Sequence, residues 1–546
     1  LLDVLLIQPP IEDFYFTAKR SVPYGLACLA ATLMQKGYSV RVLDGLASAK
    51  ARRRRTPDSM AYLLPYYGRP DHSPFASFNV YRHFGYSVDH LQRQIAEARP
   101  SVIGISSSFS AYSDQALAMA RAARACLSGA VIVMGGHHPT ALPRQVLACS
   151  AVDFVLRGEG ETSLPALVGA LRDGTDIDSV PGIAYRLPTG KIHLSDPAVI
   201  ESLDRMPPPA HALIDFHFYK RAGGASTTVV ASRGCPMQCS YCSLAGAPAV
   251  PYRRRSVDSV LQEIDRAVHR HGVRFIDFED ENISLERSWF LELLLRLESD
   301  FAGFGLELRA MNGLFPPSLD DTVIRLMQAA GFKALNLSLG SISPAQLKRF
   351  RRPDVRVSFE NALASARQLG LDVVAYVIGG APFQTARDTL NDLLYVAGTG
   401  ALAALSVYYP SPGSRDFDRI RALNLLPSDP ALWRASALPI SHTTSRLELA
   451  TLVRLTRILN FVKALHDKHI SLPRPQAYAG QELSRRADRT EVGRRLLAWF
   501  LCDGIIRGVD AGQVYAHAQS PTLAEAVAHW LNQKLSTAGG LQRHSS

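Results

Sequence analysis

Between Thr227 and Val407 short apolar runs alternate with amphipathic helix patterns, and a second block of the same alternation fills the first 180 residues. This pattern constrains the fold more than any other feature. Parallel strands need a long crossover between them, usually a helix, so each block predicts a largely parallel sheet wrapped by helices. The two blocks are separated by a connector, residues 181–222, that includes a hairpin-like Pro181-Gly-Ile-Ala-Tyr185 and the stiff run Met206-Pro-Pro-Pro209. Helical patterns such as Leu447 to Leu465 and Leu496 to Ile506 dominate after about residue 431. The expected organisation is therefore residues 1–180, a linker over 181–222, residues 223–430 and a helical part over 431–546.

In the first block the strand candidates are Val4 to Gln8, Ser39 to Leu43, Val102 to Ser106, Val131 to Met134 and Phe154 to Leu156. Helices are expected near Leu26 to Gln35, Leu91 to Ala98, Ser113 to Leu127 and Leu142 to Cys149. A doubly wound, flavodoxin-like sheet binds ligands beyond the carboxyl ends of its strands. The loops there are Ser106-Ser-Ser-Phe-Ser110, Gly135-Gly-His-His-Pro-Thr140 and Arg157-Gly-Glu-Gly-Glu161. They are small, polar and glycine-rich, which lets a bulky flat ligand and its phosphate approach the backbone. An aromatic insertion of about forty residues precedes Leu91, with Tyr62, Tyr66, Tyr67, Phe75, Phe78, Tyr81, Phe84 and Tyr86. It is expected either to cover a ligand cavity or to pack against the next domain.

The second block predicts strands at Thr227 to Ala231, Phe275 to Phe278, Gly305 to Leu308, Ala334 to Leu337, Val373 to Ile378 and Ala404 to Val407, which suits a partial six-stranded barrel with its site at the strand ends. Directly after the first strand stands Arg233-Gly-Cys-Pro-Met-Gln-Cys-Ser-Tyr-Cys-Ser243. Three thiolates on one tight loop, Cys235, Cys239 and Cys242, can hold three irons of a [4Fe-4S] cluster and leave the fourth open. A structural zinc site would call for a second Cys or His pair at short spacing, and none follows. Cys28, Cys126, Cys149 and Cys502 are scattered on apolar stretches and suit small buried hydrophobes. No signal peptide opens the chain and cysteine is sparse, so disulfides are not expected and a reducing, cytoplasmic compartment is.

The cysteine spacing with Tyr241 before the third cysteine resembles the radical S-adenosylmethionine superfamily. Preceded by Gln8-Pro-Pro10, Tyr24-Gly-Leu-Ala-Cys-Leu-Ala30, Gly135-Gly-His-His-Pro139 and Gly158-Glu-Gly-Glu161, it resembles in kind and order the cobalamin-binding class of that superfamily. The resemblance implies an N-terminal cobalamin-binding domain, a partial (β/α)6 radical domain and a helical C-terminal domain. It also implies S-adenosylmethionine chelated to the open iron and cleaved by one electron to a 5'-deoxyadenosyl radical.

By the same resemblance, Tyr241, Glu279, Asp280, Glu281, Asn312, Ser338, Gly379 and Gly380 would contact S-adenosylmethionine. Ser106, Ser107, Ser108, Gly135, Gly136, His137, His138, Glu159, Gly160 and Glu161 would contact cobalamin. Three departures stand out. Pro9-Pro-Ile-Glu-Asp-Phe-Tyr15 occupies the place of the Asp-x-His-x-x-Gly motif that supplies a cobalt ligand in other corrinoid proteins, so no histidine ligand is expected from there. His137 and His138 are read as hydrogen-bonding groups rather than substitutes. Gly340-Ser341 and Pro382-Phe-Gln-Thr385 replace a Glu-Ser and a Gly-Glu pair common in relatives.

The expected activity is methyl transfer to an unactivated carbon of an unknown substrate, a small molecule, peptide or lipid, served by an electron donor such as flavodoxin or ferredoxin. A non-methylating rearrangement, cyclisation or redox step with the same cofactors is the alternative, and a cofactor-binding sensor is the non-enzymatic one. A methylthio-transferring RNA enzyme would need a second N-terminal cysteine triad, which the chain lacks. The 60 Lys and Arg against 49 Asp and Glu give a net charge of +11. The basic clusters Arg52 to Arg55 and Arg253 to Arg255 lie in no nucleic-acid motif, and no apolar run reaches a membrane-spanning length.

Overall fold

The computed structural model describes residues 2–16, 21–246, 250–477, 483 and 488–541. Five parallel strands, Val4–Gln8, Val40–Asp44, Val102–Ser106, Val131–Gly135 and Phe154–Leu156, form the first sheet in the spatial order 2-1-3-4-5. Alternate side chains feed opposite cores, as the strand period requires. Leu5, Ile7, Ile103, Ile105 and Ile132 pack on Leu91, Ile95 and Met119, while Val4, Leu6, Val102 and Val133 pack on Leu26, Leu33, Leu164 and Leu167. Burial on both faces explains why these strands read as continuous apolar runs. The order reverses between the first and third strands, which opens a crevice at their carboxyl ends.

The expected hairpin is real, as Ile183–Arg186 pairs antiparallel with Ile192–Leu194. It does not hang in a linker, however. Ile183–Arg186 also pairs antiparallel with Phe154–Leu156, so the sheet continues past residue 180. The helix expected over Leu142 to Cys149 forms as Pro143–Leu147, and a separate short helix, His137–Ala141, precedes it, because Pro143 starts a new helix rather than continuing one.

Six parallel strands make the partial barrel: Gly224–Val229, Val273–Phe278, Glu307–Arg309, Ala334–Gly340, Asp372–Gly379 and Leu402–Val407. The third and fourth join through parallel bridges at Leu308 with Phe332 and Leu314 with Leu337. On Asp372–Gly379 the buried residues alternate with half-buried Val374, Tyr376 and Ile378. Inside, Arg309 pairs with Asp277, and Asn336 Nδ2 donates to Tyr376 Oη at 2.9 Å. The last strand would leave an open edge. Helix Arg446–Asp467 covers it, and Asn460 binds both the N–H and the carbonyl of Ala403, at 2.9 and 2.8 Å, in place of a neighbouring strand.

The aromatic insertion packs against the following domains. Its strands Ala51–Arg53 and Arg82–Phe84 pair antiparallel, with Ile11–Asp13 on the other side. Phe75 meets Phe461 edge-on at 5.6 Å, and Tyr62 Oη donates to Ala437 O at 2.5 Å. The C-terminal part is not purely helical: Arg507–Asp510 and Gln513–Ala516 form an antiparallel hairpin. The helix before it, Arg489–Asp503, stops short of Ile506 because Gly504 takes a left-handed conformation (φ 69°) as its cap. The sequence of the tail, Ser536 to Ser546, suggests fraying; helix Pro521–Leu541 runs into it, and residues 542–546 lie outside the described residues. Among the described residues no helix is long and apolar enough to cross a membrane.

Candidate active site

The cysteine loop leaves the first barrel strand through Ser232–Arg233, which pairs antiparallel with Arg253–Arg254. Gly234 turns the chain at φ 80°, and a Cβ there would collide with Pro251 O. Cys239 is buried, while Cys235 and Cys242 are half-buried. Burial pushes the Cys235 and Cys242 thiols above their usual value, so an iron ligand is what would draw off their protons. Around them the loop is pinned. Ser240 N donates to Phe350 O at 3.0 Å, Ser240 Oγ to Asp416 at 2.8 Å, and Asp416 N to Ser240 O at 2.9 Å. Among the described residues no three His, Cys, Asp or Glu side chains converge on a point suited to a single ion. A cubane spreads its thiolates over different irons, so the triad still fits the [4Fe-4S] group.

Tyr241 packs edge-on against Phe350, 5.1 Å between centroids, and its hydroxyl accepts from Arg352 Nη1 at 2.8 Å. Arg352 Nη2 donates to Ser338 O at 2.9 Å, and Cys239 lies beside the same guanidinium. Sequence reading missed Arg352. It ends a basic helix terminus, Lys348-Arg-Phe-Arg-Arg352, with nothing local to mark its inward turn.

The acidic loop after the second strand divides its labour. Asp280, expected at S-adenosylmethionine, is a strut: it accepts from Ala231 N at 3.1 Å and Ser232 Oγ at 2.6 Å, holding the base of the cysteine loop. Burial lifts its carboxyl to about 6. Asn312 Nδ2 donates to Glu279 O at 2.8 Å, so it ties back the loop. Glu281 stays half-buried near Cys235, with desolvation raising it to about 7. Ser338 faces Gly313, and Gly379 and Gly380 sit where a Cβ would press within 2.7 Å of Thr389 and Leu405 and within 2.8 Å of Leu449. Those two glycines are accounted for by packing. Buried Asn336 Oδ1, Arg352 Nε and Tyr408 Oη have no partner among the described residues, leaving hydrogen-bonding capacity for a bound group.

On the first sheet the strand-end loops interlock. Ser107 N donates to Gly135 O at 2.8 Å and His138 N to Ser107 O at 3.2 Å, while Ser106 ends the third strand. Gly136 (φ 114°) brings the two loops together, since a Cβ would lie 2.7 Å from Ser107 O. His138 Nδ1 and Ser110 Oγ are 3.0 Å apart, and burial lowers this imidazole to about 4, hence neutral. Its Nε2 and Ser107 Oγ are buried and have no partner among the described residues, which leaves them able to bond a polar ligand. Ser108 and His137 are exposed. At the first-strand loop Asp13 takes hydrogen bonds from Tyr112 at 2.6 Å and Ser436 at 2.5 Å and faces Arg434.

Glu159 and Glu161 do not face an open crevice. Glu159 grips Arg253 at 2.8 and 3.0 Å and lies 3.4 Å from Arg233, which itself binds Glu161 at 2.5 Å. The intervening Gly160 starts helix Gly160–Asp173 against Leu29. The cross-strand pair Arg233 and Arg253 thus joins the base of the cysteine loop to the first sheet. Both motifs were visible in the sequence; their meeting was not.

Two domain families match: the B12 binding domain over residues 75–168 and the Radical SAM superfamily over residues 229–396. An uncharacterized methyltransferase of Pyrococcus horikoshii is 25% identical over 434 residues, 78% of this chain and 84% of its own. The anaerobic magnesium-protoporphyrin IX monomethyl ester cyclase of Rubrivivax gelatinosus is 29% identical over 350 residues, 61% of each chain. The fold resembles that of the radical S-adenosylmethionine methyltransferase TsrM from Kitasatospora setae, a structure with cobalamin and a [4Fe-4S] cluster bound, at a TM-score of 0.57 and 17% identity over 79% of this chain and 84% of that one. With both domains present, in this order, and an intact cysteine triad, the chain belongs to the cobalamin-binding radical S-adenosylmethionine enzyme family.

Proposed function

We propose that the protein is a methyltransferase that methylates an unactivated carbon of its substrate. The supporting observation is the seam itself. Arg233, two residues before Cys235, is ion-paired to the loop that follows the fifth strand of the first sheet, so the two strand-end sites are held together in one assembly. Proximity of this kind replaces a bimolecular encounter with an oriented one. When bound, the cluster with S-adenosylmethionine supplies the radical that removes a hydrogen atom, and the corrinoid carries the methyl group.

The chain's own residues bind and orient. Cys235, Cys239 and Cys242 hold the cluster, and Arg352 fixes Tyr241 beside it. Glu281 is the carboxylate placed to orient the ammonium of S-adenosylmethionine, while Ser107 and His138 offer buried polar atoms to the corrin side chains. A one-electron donor of the flavodoxin or ferredoxin class and a reducing cytoplasm complete the reading.

A second reading, a cyclisation or other non-methylating radical step, is favoured by the cyclase among the relatives. Anaerobic reconstitution with iron, sulfide and hydroxocobalamin, followed by reductant and S-adenosylmethionine, separates the two. Methyl transfer gives S-adenosylhomocysteine together with 5'-deoxyadenosine, and the Cys235→Ala, Cys239→Ala, Cys242→Ala variant loses the 5'-deoxyadenosine. With substrate present, 5'-deoxyadenosine alone would decide for the second reading. A loaded cluster yielding neither product would turn the assignment toward a sensor.

A further inference from the structure

At the seam between the insertion and the helical C-terminal part, three arginines, Arg454, Arg457 and Arg489, lie near Asp71. Arg454 donates to Tyr66 O at 2.9 Å and reaches Asp71 only at 3.9 Å. Arg489 donates to Ser73 O at 3.2 Å. Asp71 is already engaged by His517 at 2.9 Å and by the N–H groups of Ser73 and Val509 at 2.8 and 3.1 Å. Half-buried Arg457, one turn along the helix from Arg454, has no hydrogen bond or carboxylate among the described residues. Its guanidinium sits over the Phe16 ring at 5.3 Å. Desolvation and the charges of Arg454 and Arg489 oppose its protonated form, with Asp71 acting the other way.

Arg454 is buried, Arg457 half-buried and Arg489 exposed. Elsewhere Arg233 and Arg253 are matched by Glu159 and Glu161, Arg255 by Glu263 and Arg434 by Asp13, while half-buried Arg352 meets neutral acceptors, Tyr241 Oη and Ser338 O. A desolvated excess of positive charge is unfavourable unless an anion completes it. A guanidinium offers the forked donor geometry that carboxylate and phosphate groups accept. The segment that carries Phe16 also runs on from the first-sheet loops. Phe16, 47% exposed, follows Tyr15, whose hydroxyl lies 3.4 Å from that of Tyr112 at the first-sheet loops.

We propose that Arg457, backed by Arg454 and Arg489 and floored by Phe16, is a subsite for an anionic group, a carboxylate or a phosphate-type group, at the end of the substrate remote from the reacting carbon. The substrate part of this assignment rests on the methyltransferase reading; the anion site itself does not, and a binding measurement needs no turnover.

Methylphosphonate and acetate are the probes, titrated at millimolar concentration into the full chain and followed by calorimetry and by phosphorus NMR for the former. Saturable binding of at least one probe is expected, weakened about tenfold or more in Arg457→Gln. Arg457→Lys, which keeps the charge without the fork, should fall between. Arg52→Gln, on the exposed strand Ala51–Arg53, should bind as the parent does. Binding should persist after loading with hydroxocobalamin and S-adenosylmethionine. If loading abolishes it, the arginines serve a cofactor and the substrate assignment is overturned. Equal binding by Arg457→Gln and parent, or no binding of either probe to the parent, overturns the site. Thermal unfolding of each variant checks that it is folded, and Arg457→Lys carries the comparison should the glutamine variant fail that check.

Discussion

Where the first sheet meets the cysteine loop, Arg233 and Arg253 lie against Glu159 and Glu161, and Arg255 against Glu263. Where the insertion meets the helical part, Arg454, Arg457 and Arg489 gather around Asp71, which is bound to His517. Both seams are crowded and carry guanidinium groups, yet only the first is balanced by its own carboxylates. A balanced seam holds two rigid bodies in a fixed relation without any ligand. An unbalanced one is complete only when something negative enters. On the proposed reading the first seam fixes the relative placement of the two cofactors, and the second receives the substrate.

The sharpest way to break the comparison is to unbalance the first seam. Glu159→Gln would leave Arg253 and Arg233 short of a buried carboxylate and Ile200 N, now at 2.5 Å, with a weaker acceptor. Removing one partner of a buried pair costs about 3–5 kcal/mol, because the other charge stays desolvated. The denaturant midpoint of the full chain should fall accordingly. A Glu159→Met, Arg253→Met double variant should recover most of the loss. A single variant as stable as the parent would mean that water already screens this seam.

Much of the frame was legible beforehand because it depends on local pattern. Runs such as Val4-Leu-Leu-Ile and Val131-Ile-Val-Met are apolar on both faces, and the cysteine spacing is a chemical statement in itself. Partner choice was not legible. Asp280, Glu159 and Glu161 were marked as polar loop residues near cofactors, but Ser232, Arg253 and Arg233, which claim them, are remote in sequence. Arg352 was hidden for the same reason. The hairpin Arg507–Asp510 with Gln513–Ala516 had a readable signal in Gly512, at φ 90°, set between alternating residues, but four-residue strands beside long helices were overshadowed.

The comparison extends to acids that lack a cation. Asp392 is fully buried and, among the described residues, accepts from Ile342 N at 2.7 Å and Ser341 Oγ at 3.1 Å, and burial lifts it to about 7. Between the ordinary carboxylate value of 3.8 and about 7, the folded chain holds a proton that the unfolded chain has released. Stability therefore falls as pH rises through that window and levels off above it, by roughly 2–4 kcal/mol for this group. Asp392→Asn should flatten that part of the profile in unfolding experiments from pH 4 to 8. An unchanged slope would place the titration elsewhere, with Glu281 and Asp280 the next groups to replace.

The smallest expected effect is the most telling. Arg457→Gln removes a guanidinium that has no carboxylate of its own and relieves Arg454 and Arg489 of a like charge. If the second seam were built like the first, this change would cost as much as Glu159→Gln. Because its charge is unmatched, the expected change in unfolding free energy without ligand is within about 0.5 kcal/mol of zero or slightly stabilising. The cation–π contact with Phe16 works in the other direction, but at a half-exposed site it contributes only about 0.5–1 kcal/mol. Methylphosphonate or acetate should then stabilise the parent and leave Arg457→Gln nearly unmoved, since a ligand stabilises only the state that binds it. A large destabilisation of the ligand-free variant would show that the arginine is structural, and the contrast between the two seams would collapse.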